Sequence, residues 1–373
     1  MVSICPLCGE PGLHALPLPH PAQAMISDGR IFPAPLAKSH CLACGMVLHT
    51  QPLSAAEVRQ FYDAAYDLGA ETGQADATRN QNYADQILAW AGPGPFGRVL
   101  EVGCGSGQTL QALAQAWPET GFMGLEAAIQ LAKPSENSRI AFQHGFAEDL
   151  PPPATPFDLI FSINVIEHSA DPAAFLSALA AQLAPGGQIL LICPTAVPAN
   201  LEVLFLDHVH SFSQAGLQRL ATSAGLKFMK AAAEPEGLAG FQVFLLTQGE
   251  AKLNDLAQSA GDHKAYLTAW QSLDDTLLEE IGPDQTLDLF GAGEMAALLR
   301  CYAPSIWERI GRILVDATEG ARNLGKPVIK LSDIDNPADA TLIATHPRAQ
   351  NVFAARLQDA GHRPIVFNHL IPR

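Results

Sequence analysis

Basic residues are scarce in this chain: 22 lysines and arginines face 38 aspartates and glutamates, leaving a formal net charge of −16. A surface of that sign repels a phosphate backbone, which argues against any large nucleic-acid footprint. No run of eighteen apolar residues occurs. The opening Met1-Val2-Ser3-Ile4-Cys5 has no basic region leading into an apolar one, so neither a membrane span nor an export leader is expected. Internal repeats are missing too. Charged residues make up only 16 % of the chain against 48 % hydrophobic, enough for buried cores and contrary to extensive disorder. At 373 residues the chain exceeds one ordinary domain, so two or three units are expected. Seven cysteines without an export signal read as thiols or metal ligands in a reducing cytoplasm.

What is present begins with Val99-Leu100-Glu101-Val102-Gly103-Cys104-Gly105-Ser106-Gly107. A short apolar run breaks into alternating glycines, and a helix-compatible stretch, Gln108 to Trp117, follows. This predicts a parallel strand ending in a tight turn where backbone approaches a ligand, the glycines supplying φ > 0 and the absence of a Cβ. Glu126 ends the next apolar run, where a carboxylate can accept both hydroxyls of a ribose. The G-x-G-x-G spacing differs from the dinucleotide G-x-G-x-x-G. With Glu101 ahead of it, the segment resembles motif I of the class I S-adenosylmethionine-dependent methyltransferases. That resemblance places Glu101, Gly103, Gly105, Gly107 and Glu126 on the methyl donor.

From Arg98 to Gln248 strand and helix patterns alternate, implying a parallel sheet covered on both faces. Phe157 to Ile163 reads as a strand, Pro172 to Leu183 as its helix, and Gln188 to Cys193 as the next strand. Leu226 to Ala233 and Phe241 to Thr247 suit the antiparallel terminal hairpin of a seven-stranded methyltransferase sheet. Glu57 to Tyr66 and Thr78 to Trp90 read as helices ahead of this core, and Glu250 to Ile281 as a polar helical connector. A second glycine turn, Gly291-Ala292-Gly293-Glu294-Met295-Ala296, and a carboxylate at a strand end, Asp316, predict a small doubly wound unit near the C-terminus. The expected units are therefore residues 1–60, 61–248, 249–285 and 286–373.

Cys5-Pro6-Leu7-Cys8-Gly9 and Cys41-Leu42-Ala43-Cys44-Gly45 are two C-x-x-C-G knuckles. Each can present two sulfurs to one metal. Four thiolates satisfy a closed tetrahedral zinc site that adds folding free energy to a segment too small to bury a core. Cys5, Cys8, Cys41 and Cys44 are thus candidate ligands of a structural zinc, while Cys104, Cys193 and Cys301 read as ordinary buried thiols.

The order of knuckles, donor-binding core and late glycine turn resembles the nucleotide-deoxysugar C-methyltransferase family over essentially the whole chain. The resemblance implies an N-terminal zinc-binding segment, a central methyl-donor domain, and a C-terminal domain that helps hold a sugar nucleotide. In that family a carboxylate-histidine pair precedes a Phe-Ser pair that opens a helix. Here the segment is Phe205-Leu206-Asp207-His208-Val209-His210-Ser211-Phe212-Ser213, which puts Asp207 and His208 in those positions. Phe205 and Leu206 replace the family's tyrosine and histidine. The family's tyrosine ahead of the core is best matched by Tyr66.

Without the family, His208 can take a proton while Asp207 orients it. Alternatively His208 and His210 bind a metal, or both serve only loop carbonyls. In many methyltransferases of this class the Glu-His pair, here Glu167-His168, is structural. Asn164 is placed to line the donor pocket. Phe146 stands where relatives often carry an aspartate, so adenine contact is expected from backbone around Phe146 and Ala147. The C-terminal turn would suit a nucleotide at a helix N-terminus, except that Glu294 would repel phosphates. The expected activity is methyl transfer from S-adenosylmethionine to a carbon of a small metabolite, a nucleotide-linked deoxysugar above all, with His208 as candidate general base. Oxygen methylation, an rRNA methyltransferase and a non-catalytic scaffold are the competing readings.

Overall fold

The computed structural model describes residues 4–50, 54, 56–57, 59–60, 74–128, 137–250 and 262–372. Tyr66, and most of the helix expected over 57–66, lie outside the described residues. The N-terminal part carries five short strands: β1 (Leu13–Ala15), β2 (Ala24–Met25), β3 (Ile31–Phe32), β4 (Lys38–Cys41) and β5 (Val47–His49). Helix α1 (Gln74–Ala91) then leads into β6 (Arg98–Val102), α2 (Gln108–Ala116), β7 (Gly121–Glu126), β8 (Ile140–His144), β9 (Phe157–Ile163), α3 (Pro172–Gln182) and β10 (Leu183–Pro194). After β11 (His210–Ser211) come α4 (Gln214–Ser223) and the hairpin β12 (Leu226–Ala233) and β13 (Phe241–Gln248).

The central sheet has seven strands in the order β12-β13-β10-β9-β6-β7-β8, parallel except for β13, which runs antiparallel to both its neighbours. Val99, Leu100 and Val102 are buried, as a strand covered on both faces requires. Helix α2 turns Leu110, Leu113 and Ala114 inward at helical spacing. Pro172 starts α3 behind an Asp171 cap that accepts from the amides of Ala173 and Ala174. Chain order reverses between β6 and β9, and at such a switch point the carboxyl ends of the strands leave a crevice.

The glycines of the first turn have the positive φ expected of them. Gly103 and Gly107 have φ of +76° and +77°. A Cβ on Gly103 would lie 2.2 Å from Val165 Cγ2, and one on Gly107 would lie 2.4 Å from Phe142 Cζ. At these two positions the protein's own packing already excludes a side chain. Gly103→Ala combines a left-handed backbone with an overpacked contact and should cost about 2–4 kcal/mol. Urea denaturation checks this; a loss below about 0.5 kcal/mol would show that Val165 gives way freely.

The N-terminal strands are tied to the later chain. Strand β11 pairs with β5, completing a four-stranded sheet β1-β4-β5-β11. Ala24, Met25 and Ile26 share a hydrophobic cluster with α5 (His263–Ile281) and with the C-terminal unit. The Tyr302 hydroxyl accepts from the Met25 amide and donates to the Leu204 carbonyl. Helix α5 is more than a polar connector: Tyr266, Leu267, Trp270, Leu273, Leu277 and Ile281 form one buried stripe. Its polar residues occupy the other face, which made the stretch look bland.

His49 in β5 is buried, and its imidazole is pushed down to about 3 by desolvation first and by the Lys38 charge second. The unfolded chain takes a proton at His49 below about pH 6.5 that the folded chain refuses until about pH 3, so this residue withdraws stability as pH falls through that window. Between pH 7 and pH 5 the wild type should lose on the order of 2 kcal/mol more than His49→Gln. Parallel denaturation curves for the two proteins at both pH values would contradict this.

The C-terminal unit comprises β14 (Leu287–Phe290), α6 (Glu294–Tyr302), α7 (Pro304–Arg309), β15 (Ile310–Val315), β16 (Val328–Lys330), β17 (Ala340–Ile343), α8 (Gln350–Asp359) and β18 (Pro364–Ile365). Its sheet is wholly parallel in the order β16-β15-β14-β17-β18. Gly291 is needed for close strand approach, since a Cβ there would meet the Ala344 carbonyl oxygen at 2.7 Å. Asp316, the carboxylate just beyond β15, pairs with Arg356.

Candidate active site

A cavity of about 830 Å³ opens at the carboxyl ends of β6, β7, β9 and β10 and is lined by all parts of the chain. One end is formed by the glycine turn. The Glu126 carboxylate accepts the Gly105 amide at 2.7 Å with one oxygen and the Ala128 amide at 2.8 Å with the other. The turn and the acidic residue that the sequence set 21 positions apart are therefore directly joined.

Glu101, fully buried beneath the turn, has its carboxyl pushed well above the usual range by desolvation and then by the Glu126 charge. Its Oε2 has no hydrogen-bond partner among the described residues. Asn164, at the tip of β9, is left-handed with φ +55°. Its Nδ2 donates to the Tyr83 hydroxyl, and its Oδ1 is buried without a partner. Tyr83, from α1, carried no signal in the sequence because it lies in a helix with no motif. Phe146 sits in extended backbone ahead of a single 3-10 turn over Ala147–Asp149. The Arg59 guanidinium lies 4.1 Å from the Phe146 ring centroid and bonds both oxygens of Asp149. Orphaned acceptors at Glu101 and Asn164, with a strand-end carboxylate at Glu126, fit a ligand that brings a cationic amino acid at one end and a ribose at the other.

The same cavity wall also includes His168, His208, Glu167, Glu202, Phe205 and Ser27. The expected pairing of Asp207 with His208 is corrected here. Asp207 accepts from the Ser27 amide at 2.9 Å and the Ser27 hydroxyl at 2.6 Å, and its Oδ2 lies 3.6 Å from His168 Nδ1. Glu202 takes the place beside His208, with its Oε2 3.5 Å from the ring Nδ1. Ser211 donates to that same oxygen. The loop bends between Asp207 and His208, so adjacent side chains face different partners; a motif alignment carries no information about that bend.

Burial pushes the His208 imidazole well below its usual value, with the neighbouring His168 ring adding to the effect. His208 is therefore neutral at pH 7. The two rings meet edge to face at 4.8 Å between centroids. His168 is more than a helix start: Asp171 caps α3, and His168 belongs to this corner. His210 turns away, its Nδ1 meeting the Ser169 carbonyl at 3.1 Å. Lys38, from β4, lies wholly buried under the loop and donates to the His208 carbonyl at 3.0 Å. Desolvation pulls its ammonium down to about 8 against the pull of Glu202 and Asp207.

Away from the cavity, the four knuckle cysteines converge. Cys5 and Cys44 sulfurs are 3.9 Å apart and Cys8 and Cys41 sulfurs 3.7 Å, and all four lie within 4.8 Å of one another. A tetrahedron of Zn–S bonds has an edge of about 3.8 Å, so the thiols are already at metal-site spacing. The two knuckles share one turn geometry: Gly9 and Gly45, at φ +72° and +70°, donate to the carbonyls of Cys5 and Cys41.

Residues 75–231 match the family model described as a methyltransferase domain. That stretch, a little over two fifths of the chain, is therefore similar to a methyltransferase domain. The chain is 36 % identical over 103 residues to the ubiquinone biosynthesis O-methyltransferase of Maricaulis maris, a match covering 26 % of this chain and 40 % of the relative. It is 30 % identical over 121 residues to the mitochondrial ubiquinone biosynthesis O-methyltransferase of Schizosaccharomyces pombe, covering 30 % and 44 %. The chain thus spans less than half the length of these relatives. The solved magnesium protoporphyrin IX methyltransferase from Synechocystis PCC 6803 is similar at a TM-score of 0.39 and 15 % identity, over 52 % of this chain and all of that one. Among the described residues no helix is long and apolar enough to cross a membrane.

Proposed function

We propose that the chain methylates a small anionic metabolite, with a nucleotide-linked deoxysugar as acceptor class and carbon as the methylated atom. The observation that carries this reading is the single cavity joining the glycine turn to the His168–His208 corner, with cationic side chains along its wall. Arg322 and Arg348 line it from the C-terminal unit; Arg348 is paired with Glu234, whereas Arg322 Nη1 is buried without a hydrogen-bond partner among the described residues. An anionic group on the acceptor would satisfy it, offsetting the repulsion from the neighbouring Glu294.

The bound donor supplies an electrophilic methyl carbon. The acceptor atom loses its proton and bonds to that carbon, and the carbon–sulfur electron pair returns to sulfur, leaving a neutral thioether. The chain's own part is alignment and charge placement. Glu101, Glu126 and Asn164 hold the donor, with Phe146 and Ala147 beside its base, and the acceptor is activated at His208. We assign the four-cysteine cluster to a structural zinc; a closed thiolate set leaves no position for substrate.

Glu126→Ala should weaken binding of S-adenosylhomocysteine by about 1.5–3 kcal/mol, the worth of a hydrogen bond to a charged group. Unchanged affinity by calorimetry would remove Glu126 from the donor site. The acceptor is tested by incubating the protein with labelled S-adenosylmethionine and a panel of nucleotide sugars, phenols and carboxylates, with mass spectrometry of the products. Label on a sugar carbon supports the reading. Label on a phenolic oxygen replaces it with O-methylation, which the names of the ubiquinone-pathway relatives and the apolar Phe205 and Leu206 both favour.

A further inference from the structure

We propose that Glu167, His168 and His208 form a binding site for one divalent transition-metal cation in the cavity. One ligand atom from each residue lies within 4.8 Å of the other two, and all three residues are buried in the cavity wall. Adjustments of about an ångström bring such atoms to metal bond lengths of about 2.0–2.2 Å.

The strongest sign is Glu167. Its side chain is 1 % exposed, and neither carboxylate oxygen has a hydrogen-bond partner among the described residues. A buried carboxyl left so holds its proton or takes a cation, and desolvation pushes Glu167 well above the usual carboxylate range. Glu202 and Asp207 stand beside Glu167 and add negative charge, against which Lys38 and His263 act on Glu202. Glu202 Oε1 is also unpartnered.

The imidazoles are oriented as metal ligands are. His168 Nδ1 meets the Asp207 carbonyl at 3.0 Å, and His208 Nδ1 faces the Glu202 carboxylate at 3.5 Å. An oxygen acceptor at one ring nitrogen fixes the tautomer that offers the other nitrogen's lone pair. The pair envisaged from the sequence, His208 with His210, is replaced by His208 with His168. Two nitrogens and one carboxylate suit zinc, cobalt, iron(II) or manganese over magnesium or calcium, and three protein ligands leave positions open toward the cavity. Those positions would hold acceptor oxygens and raise their acidity, so that His208 acts through the cation. This role rests on the methyl-transfer reading; the site itself does not.

The test uses the full-length chain with one equivalent of zinc on its four cysteines, titrated with Co²⁺. One further equivalent should bind and give ligand-field bands without the sulfur-to-metal charge transfer of a thiolate site. Glu167→Gln and His208→Gln should each weaken that binding by roughly 100-fold, while unfolding temperature and S-adenosylhomocysteine affinity stay near wild type. Wild-type protein that binds S-adenosylhomocysteine but takes up no further cobalt overturns the proposal. So does either folded variant that holds cobalt as tightly as wild type. Should Glu167→Gln fail to fold, the wild-type titration and His208→Gln still decide. Cobalt uptake without S-adenosylhomocysteine binding would instead sink the methyl-transfer reading and leave the site standing.

Discussion

Cys41→Ser protein should emerge from purification without its zinc and with turnover lost, although the cysteine lies far from the cavity. The reason is connectivity. Cys41 closes β4, β4 pairs with β5, and β5 pairs with β11, the two residues just beyond the loop carrying Asp207 and His208. Lys38, three residues before Cys41, donates directly to the His208 carbonyl. The Ser213 hydroxyl, at the cap of α4, donates to the Cys44 carbonyl. Structural zinc contributes on the order of 10 kcal/mol of apparent folding free energy in isolated zinc peptides, so opening the site releases the floor under the acceptor loop. Metal analysis, circular dichroism and a turnover assay read this together. Cys193→Ser, a buried thiol in β10, should keep its zinc and most of its activity. Full activity in zinc-free Cys41→Ser would break the link between the knuckles and the loop.

His208→Ala should lower turnover on the order of 10²–10⁴-fold, the range for losing the group on which activation of the acceptor depends. Donor affinity should change little, because His208 meets Glu202, Phe205, His168 and Lys38, and none of these belongs to the glycine turn. Asp207→Asn acts through Ser27 and His168, so its loss should be smaller. Glu202→Gln, which faces the ring directly, should exceed it. Single-turnover rates beside S-adenosylhomocysteine affinities separate the two effects. A His208→Ala protein with wild-type turnover would move acceptor activation elsewhere; one that lost donor binding would show that the corner supports the fold.

The glycine turn, Glu126, both knuckles and the alternating central strands were legible because each rests on residues close in sequence or on a period. Glu202, Lys38, Ser27 and Tyr83 were not. Each is an unremarkable residue by composition, and only pairing between strands far apart in the chain brings it to the site. Residues 1–60 read as a separate zinc-binding piece because nothing local announces that β5 pairs with β11. Glycine was read for its freedom, correctly, yet Gly103 and Gly107 use it to clear Val165 and Phe142. Glu167 and His168 were seen as a pair, but their third partner, His208, lies 40 residues on and is supplied by folding alone.

Titration calorimetry of S-adenosylhomocysteine into the zinc-loaded wild type and into Gly105→Val tests the central claim most directly. The account predicts one site per chain in the wild type and no measurable binding in the variant, with Gly105 at φ +51° and its amide held by Glu126. No heat with the wild type, or equal binding in a folded Gly105→Val, would contradict it.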